Sequence, residues 1–292
     1  MITNLIISGG STKTIAVLGC LKFLEEQSLL TNVKTFVGTS AGSLICFFLV
    51  LGFASQEIIQ LLRDHFFGNN LHKLSLDEVV SLEVFNSFGM DSGMNITTFI
   101  TEVLFLKKHV KDISFLDLAK TTGKHLVICG ANITKERSEH FSVDTHPDMS
   151  VLLALRISVS LPFIFTPVYF NGCYYVDGGV FESLPTSYIC KFKDPIVDTL
   201  ALNTVSHSVN GDAKIDSLLD YVRTLFEAII NKANKLVSTS PKIRVVEIEF
   251  EDIDNVSFSL DDLSFQLSDE LIGRHLDKGY AVIKQHFEKQ MS

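Results

Sequence analysis

The apolar positions fall into short blocks that alternate between two periods. Leu5-Ile6-Ile7 is a continuous apolar run closed by Gly9-Gly10, and it reads as a buried strand over Asn4–Ser8. Behind it Ile15, Val17, Leu18, Leu21 and Leu24 recur at helical spacing, with Lys22, Glu25 and Glu26 on the opposite side. The pattern then repeats. A short strand over Lys34–Val37 gives way to a turn and to a strongly apolar helix from Ala41 through Leu44, Ile45, Phe47, Phe48, Leu49 and Leu51. Two consecutive strand–turn–helix units predict an α/β chain whose sheet is mostly parallel and flanked by helices.

Further along, the periodicity predicts a helix over Ser55–Phe67 capped by Ser55, and a mixed helical stretch over Leu71–Phe88 that ends in a turn at Gly89–Gly93. Helices follow over Thr97–Leu106 and Ser114–Lys120, then a buried strand over His125–Ala131 with a hairpin partner at His140–Val143. A helix begins at Met149 and is broken near Pro162, and Phe163–Tyr169 is extended. Asn171-Gly172 makes a tight turn into Tyr174-Tyr175-Val176. Leu184-Pro185 opens another helix, Ile196–Leu202 and Arg244–Phe250 are strands, and Ser268–Glu288 closes the chain as a helix. Ile215–Val237 is the longest amphipathic pattern; it suits core packing first, with a lid or lipid-facing helix as the alternative.

Composition narrows the class. With 292 residues, 46% of them hydrophobic and 23 of them Phe, the chain has the material for one large domain over 1–292, and no Pro/Gly-rich linker divides it. A net charge of −9 disfavours nucleic acid as a partner. Cys20, Cys46, Cys129, Cys173 and Cys190 are odd in number and mostly sit in apolar runs, so they read as buried thiols of a reducing compartment. There is no basic leader, and the apolar run around Leu44–Phe53 is too short to span a bilayer, so a cytoplasmic protein without signal peptide or transmembrane helix is expected. No cofactor is expected. His140, Asp144, His146 and Asp148 are the one metal-like cluster, but Pro147 and the polar setting suit an exposed loop, and no metal site is assigned.

Three stretches carry candidate chemistry. Gly38-Thr39-Ser40-Ala41-Gly42 sits between a strand and a helix, where a Gly-x-Ser-x-Gly forms a sharp corner with its serine at the tip. The helix start behind Ser40 offers amides and a positive dipole end to any oxyanion formed there. Ser8-Gly9-Gly10-Ser11-Thr12-Lys13-Thr14 is a small-residue loop between strand and helix. It could cradle phosphate, but it lacks the spacing of either common nucleotide loop, and an oxyanion hole is its other use. Asp177-Gly178-Gly179 places a carboxylate at a strand end, where a structural Asx turn is the plain explanation.

Taken together, the glycine loop, the Gly-x-Ser-x-Gly and the distant Asp-Gly-Gly resemble, in kind and in order, the pattern of the patatin-like phospholipases. The likeness extends to Ala131-Asn132-Ile133-Thr134, to Arg156–Pro162 and to Val168–Pro185. More weakly it includes Phe258-Ser259-Leu260 and Leu276–Tyr280; the motifs lie within about 1–205, and 206–292 is more divergent. The resemblance implies a three-layer patatin-like fold and a lipid acyl hydrolase of phospholipase A or lysophospholipase type acting on acyl lipid at a membrane surface. It implies a dyad of Ser40 as nucleophile and Asp177 as base, and an acyl-enzyme. It also implies oxyanion donors among Gly9, Gly10, Ser11 and Ala41, motif glycines at Gly38, Gly42, Gly178 and Gly179, and a phosphate contact from Lys13. The chain departs from the family where Ser11 and Thr14 replace glycines, and a Cβ at Ser11 opposes positive φ by about 1 kcal/mol. Two alternatives stand beside this reading: a Ser–His–Asp esterase using His207, His275 or His286, and a catalytically weak lipid-binding pseudoenzyme.

Overall fold

The first two strands, β1 (Asn4–Ile7) and β2 (Thr35–Thr39), lie side by side and parallel, joined by α1 (Ile15–Glu26). The computed structural model describes residues 1–67, 87–191, 198–207, 243–251 and 268–291, with Thr224 and Ala228. Leu71–Phe88 and Ile215–Val237, read as helical from the sequence, lie almost wholly outside these residues.

Around β1 and β2 grows an eight-stranded sheet. Among the described residues its other members are β4 (His125–Asn132), β5 (Arg137–Phe141), β7 (Val168–Phe170), β8 (Cys173–Asp177), β9 (Thr199–His207) and β10 (Arg244–Glu251), while β3 (Gly89–Asp91) lies outside it. The order is β10-β9-β1-β2-β4-β8-β7, with β5 also paired to β4. The five strands from β10 to β4 are parallel, and β5, β8 and β7 add antiparallel pairs at the far side.

The continuous apolar runs in the parallel strands are explained by burial on both faces. Leu5, Ile7, Phe36, Leu126, Ile128, Leu200 and Leu202 join the large core with α1 and α2 (Ala41–Leu51). The alternating positions Ile6, Val37, Val127 and Ala201 face Leu184, Tyr188 and Ile189 near α7 (Thr186–Cys190) on the other side. That is a three-layer α/β arrangement. The last helix, α8 (Asp269–Met291), crosses α1 so closely that a Cβ on Gly279 would lie 1.7 Å from the Ala16 carbonyl oxygen, and one on Gly19 2.0 Å from that of Leu276. Cys20 Sγ donates to the Gly279 carbonyl across the same contact.

Several local expectations are corrected. Ser55 does not cap α3 (Ser55–Leu62): Ala54 holds that position and Glu57 accepts from the Ala54 amide. The Ser55 amide and hydroxyl both donate to the Glu25 carboxylate of α1, and the last turn, Arg63–Phe67, widens to a π turn. Gly89–Asp91 is a strand, β3, rather than part of a turn, because it finds a distant parallel partner in β6 (Phe163–Phe165). Cys190 is exposed, whereas the other four cysteines are buried thiols. The remaining helices are α4 (Met94–Lys108), α5 (Phe115–Thr122), capped by Ser114, and α6 (Val151–Ser158), capped by Ser150. Among the described residues, no helix is long and apolar enough to cross a membrane.

Candidate active site

Strand registry brings the candidate residues together. β2 runs parallel to β4 and ends with Thr39 opposite Cys129; β8 runs antiparallel to β4 and ends with Asp177 opposite Gly130. β5 occupies the other edge of β4 along Ile128–Asn132, so β2 and β8 share one edge and their carboxyl ends meet head-on at Cys129–Gly130. The residue that follows β2 is Ser40, and the residue that ends β8 is Asp177. Ser40 Oγ donates to Asp177 Oδ2 at 2.6 Å.

The corner itself is tight. Ser40 has φ 53 and ψ −129, a conformation that costs a non-glycine residue of order 1 kcal/mol or more. A Cβ on Gly38 would lie 2.6 Å from Ser43 Cα, and one on Gly42 2.4 Å from the Ser8 carbonyl oxygen, so only glycine fits at either flank. The strained backbone is held by its neighbours. The Ser40 amide donates to Ser158 Oγ at 2.9 Å, Ser158 Oγ donates to the Cys129 carbonyl at 2.6 Å, and the Ser43 amide and hydroxyl donate to the Ser40 carbonyl. Ser40 is half-buried and opens α2 at its positive end.

Asp177 is 3% exposed. Burial pushes its carboxyl up to about 6, against the lowering effect of the Ser40 hydroxyl and of the Gly179 amide, which donates to Oδ1 at 2.7 Å. Its own amide donates to the Ser160 carbonyl at 2.8 Å. The Asx turn expected at Asp177-Gly178-Gly179 is therefore present, and it uses one carboxylate oxygen while the other faces Ser40. A Cβ on Gly178 would lie 2.5 Å from the Cys129 carbonyl oxygen, which keeps that position glycine.

The loop after β1 borders the same spot. In the sheet β1 stands between β2 and β4 on one side and β9 and β10 on the other, the kind of position at which parallel α/β sheets carry their sites at the carboxyl ends of the strands. A Cβ on Gly9 would lie 3.3 Å from Ser40 Cβ. The Gly9 amide, expected as an oxyanion donor, donates to the Ser183 carbonyl at 3.0 Å. Gly10 and Ser11 begin a 3-10 turn, Ser11–Thr14, in which Ser11 takes φ 50 and Lys13 donates its amide to the Gly10 carbonyl.

Some residues at the site were not singled out for it in the sequence. Thr204 of β9 lies outside the family motifs, yet its amide donates to Ser8 Oγ at 3.0 Å and its hydroxyl to the Gly9 carbonyl at 2.9 Å, fixing the loop. Arg156 lies buried, and its guanidinium donates to the carbonyls of Ser92 and Thr166 and to Ser160 Oγ. That ties the β3–β6 pair to the segment that carries Ser158 and Ser160. Arg156, Ser158 and Ser160 lie in the Arg156–Pro162 stretch that resembles the family, though nothing there announces their partners, and Thr204 carries no signal in the sequence.

The proposed histidines do not enter this geometry. A 2.6 Å contact leaves no room for a ring between Ser40 and Asp177. His275 is buried on α8 with its ring 5.0 Å from that of Phe250, His286 lies further along α8 against Phe287, and the side chain of His207 lies outside the described residues. The metal-like cluster is also dispersed: His140 Nε2 faces Glu182, Asp144 faces His125 and Tyr188, His146 faces Glu139, and Asp148 is exposed.

The sheet, its helices and the strained serine at a strand-to-helix corner define an α/β protein whose site lies at the carboxyl edge of a parallel sheet. The chain belongs to the patatin-like phospholipase family, whose model matches residues 5–189. It is 30% identical over 271 residues to an uncharacterized protein of Acanthamoeba polyphaga mimivirus, covering 89% of this chain and 87% of that one. It is 35% identical over 190 residues to a protein of Invertebrate iridescent virus 6 named as a probable lipid hydrolase; that match covers 65% of this chain and 63% of the viral protein. Among solved structures, VipD from Legionella pneumophila is similar in fold, with a TM-score of 0.61 at 16% identity, covering 99% of this chain and 67% of that one.

Proposed function

We propose that the chain is a lipid acyl hydrolase of phospholipase A or lysophospholipase type, with Ser40 as nucleophile and Asp177 as base. The observation that carries the reading is the direct Ser40 Oγ–Asp177 Oδ2 hydrogen bond at 2.6 Å to a buried carboxyl whose pKa is pushed up to about 6. An ordinary carboxylate is a weak base at neutral pH. Raising it brings it nearer the operating pH while leaving it mostly ionised there. The family, and the lipid hydrolase named among the relatives, supply the substrate class.

In this mechanism Ser40 Oγ attacks the ester carbonyl carbon as its proton passes to Asp177 Oδ2. The carbonyl oxygen becomes an oxyanion, and the candidate donors are the amides of Gly10, Ser11 and Ala41, the last at the start of α2. Collapse expels the alcohol of the lysolipid, which takes the proton from Asp177 and leaves an acyl-enzyme on Ser40. Water, deprotonated by Asp177, then attacks the acyl carbon; the fatty acid departs and Ser40 regains its proton. Lys13, on the same turn, is the candidate contact for a lipid phosphate, and a membrane or micelle surface is the proposed place of action. Fatty-acid release from phosphatidylcholine vesicles and from lysophosphatidylcholine micelles tests the reading. Wild type releases fatty acid and Ser40→Ala and Asp177→Asn do not; equal release by all three ends the proposal.

A further inference from the structure

A second cluster lies behind the catalytic corner, built from three separate segments. Cys129 comes from β4, His140 from β5 and Glu182 from the loop after Asp177-Gly178-Gly179; all three are buried, at 0%, 5% and 3% exposure. One ligand atom from each, a sulfur, a nitrogen and an oxygen, falls within 4.8 Å of the others. His140 Nε2 lies 3.3 Å from Glu182 Oε2, at ion-pair distance, so two of the three ligand atoms already face each other inside the cluster.

We propose that Cys129, His140 and Glu182 supply three ligands of a buried zinc site whose fourth position is filled by a water. The donor set is the mixed S/N/O set that Zn²⁺ accepts, and the bond lengths it requires place ligand atoms about 3.3–3.6 Å apart around a tetrahedral ion. The His140–Glu182 pair already stands at 3.3 Å, and the widest separation, within 4.8 Å, closes by roughly 1–1.5 Å to reach that spacing. Charge also balances: a thiolate and a carboxylate cancel the two positive charges, which suits a buried site better than a hard cation with an oxygen shell. The Glu182 carboxylate is already oriented, since the Ser187 amide and hydroxyl donate to Oε1 and Oε2 at 2.8 Å each. Two features must change on binding. Burial and the nearby Glu182 hold the Cys129 thiol well above its ordinary pKa, so the ion must displace its proton. Lys191 Nζ, 3.5 Å from His140 Nδ1 on an exposed residue, turns outward so that Nδ1 can carry the imidazole proton. The place matters because Glu182 links both parts of the catalytic corner. Its carbonyl accepts from Thr39 Oγ1 at 3.1 Å, one residue before Ser40, and its amide donates to the Gly178 carbonyl at 2.8 Å, one residue after Asp177.

The test uses the full chain, expressed with zinc and dialysed against metal-free buffer, then analysed for metal and thermal stability. The expected result is one zinc per chain and a lower Tm after removal by a strong chelator, restored by zinc. Replacement with Co²⁺ gives the intense visible bands of tetrahedral cobalt and a thiolate-to-cobalt charge-transfer band. Cys129→Ser abolishes that charge-transfer band, and His140→Gln weakens zinc affinity by more than about tenfold. Should either variant fail to fold, the wild-type cobalt spectrum decides: tetrahedral bands with a thiolate band support the site, and their absence overturns it. A chain that retains no zinc and whose Tm is indifferent to zinc and chelator also overturns it, as does binding unchanged in both variants. None of these readouts depends on hydrolytic activity, so the zinc site and the hydrolase reading fail independently.

Discussion

Asp177→Asn replaces one oxygen of a buried carboxyl by an amide nitrogen, and its effect on stability follows from the ionisation of the wild-type group. The folded chain holds this carboxyl at about 6 against its ordinary 3.8, chiefly because burial disfavours the anion. Between those two values the folded state keeps a proton that the unfolded state has lost, so stability falls as pH rises through this window. Above about pH 6 the full penalty is present, about 3 kcal/mol for a rise of this size; below the ordinary value it is absent. Asparagine never ionises and avoids the penalty. Its carbonyl still accepts from the Gly179 amide, but its NH₂ now faces Ser40 Oγ, and the altered pairing gives back about 1 kcal/mol. Asp177→Asn is therefore expected to be more stable than wild type by about 2 kcal/mol at pH 8 and, with little of the penalty left to relieve, less stable by about 0.5 kcal/mol at pH 4. Urea unfolding of both proteins at the two pH values measures this. A variant less stable than wild type at pH 8, or a difference that ignores pH, would show that the carboxyl is not held against its charge.

Other outcomes follow from the same geometry. If Asp177 takes the proton of Ser40, kcat/KM for a soluble ester climbs about tenfold per pH unit below its pKa of about 6 and levels off above it; a rate flat down to pH 4.5 would remove Asp177 as base. Ser11→Gly relieves a positive φ of 50 and raises stability by about 0.5–1 kcal/mol, read as a higher urea midpoint, whereas Ser11→Val at the same φ lowers it. Gly279→Ala puts a methyl 1.7 Å from the Ala16 carbonyl oxygen and forces α1 and α8 apart; it costs about 3 kcal/mol or more, and an unchanged Tm would contradict the close crossing.

How much of this was legible in the sequence depends on the range of the interactions. The strand–turn–helix units, the Asn171-Gly172 turn and the parallel class of the sheet are set by neighbours in the chain, and the hydrophobic periods and turn residues carry them. Non-local pairing is not written that way. Nothing in Gly89-Met90-Asp91 announces that it will pair with Phe163–Phe165. Ser55 has the composition of a cap, but a carboxylate thirty residues earlier takes its hydroxyl, which only the packing of α1 on α3 reveals. At the site, the motifs named Ser40 and Asp177, while the reason they meet is that two strands of opposite sense end against each other on one edge of β4. The supporting groups come from two other segments, Ser158 and Arg156 from α6 and Thr204 from β9, and nothing local announces the partners they find. Gly9 shows the converse: its motif position suggests a free amide, and the fold spends that amide on Ser183. His140 was grouped with its sequence neighbours Asp144, His146 and Asp148, whereas in space it turns inward to Cys129 and Glu182.

The most direct measurement is the rate of covalent labelling by a fluorophosphonate, read as intact mass and mapped by peptide analysis, because it isolates the attack step from lipid binding. A single adduct on Ser40 is expected in wild type, none in Ser40→Ala, and labelling slowed by about a thousandfold or more in Asp177→Asn. His207→Ala, His275→Ala and His286→Ala should label at close to the wild-type rate. Labelling of Asp177→Asn at the wild-type rate, or its loss in any of the three histidine variants, would contradict the account.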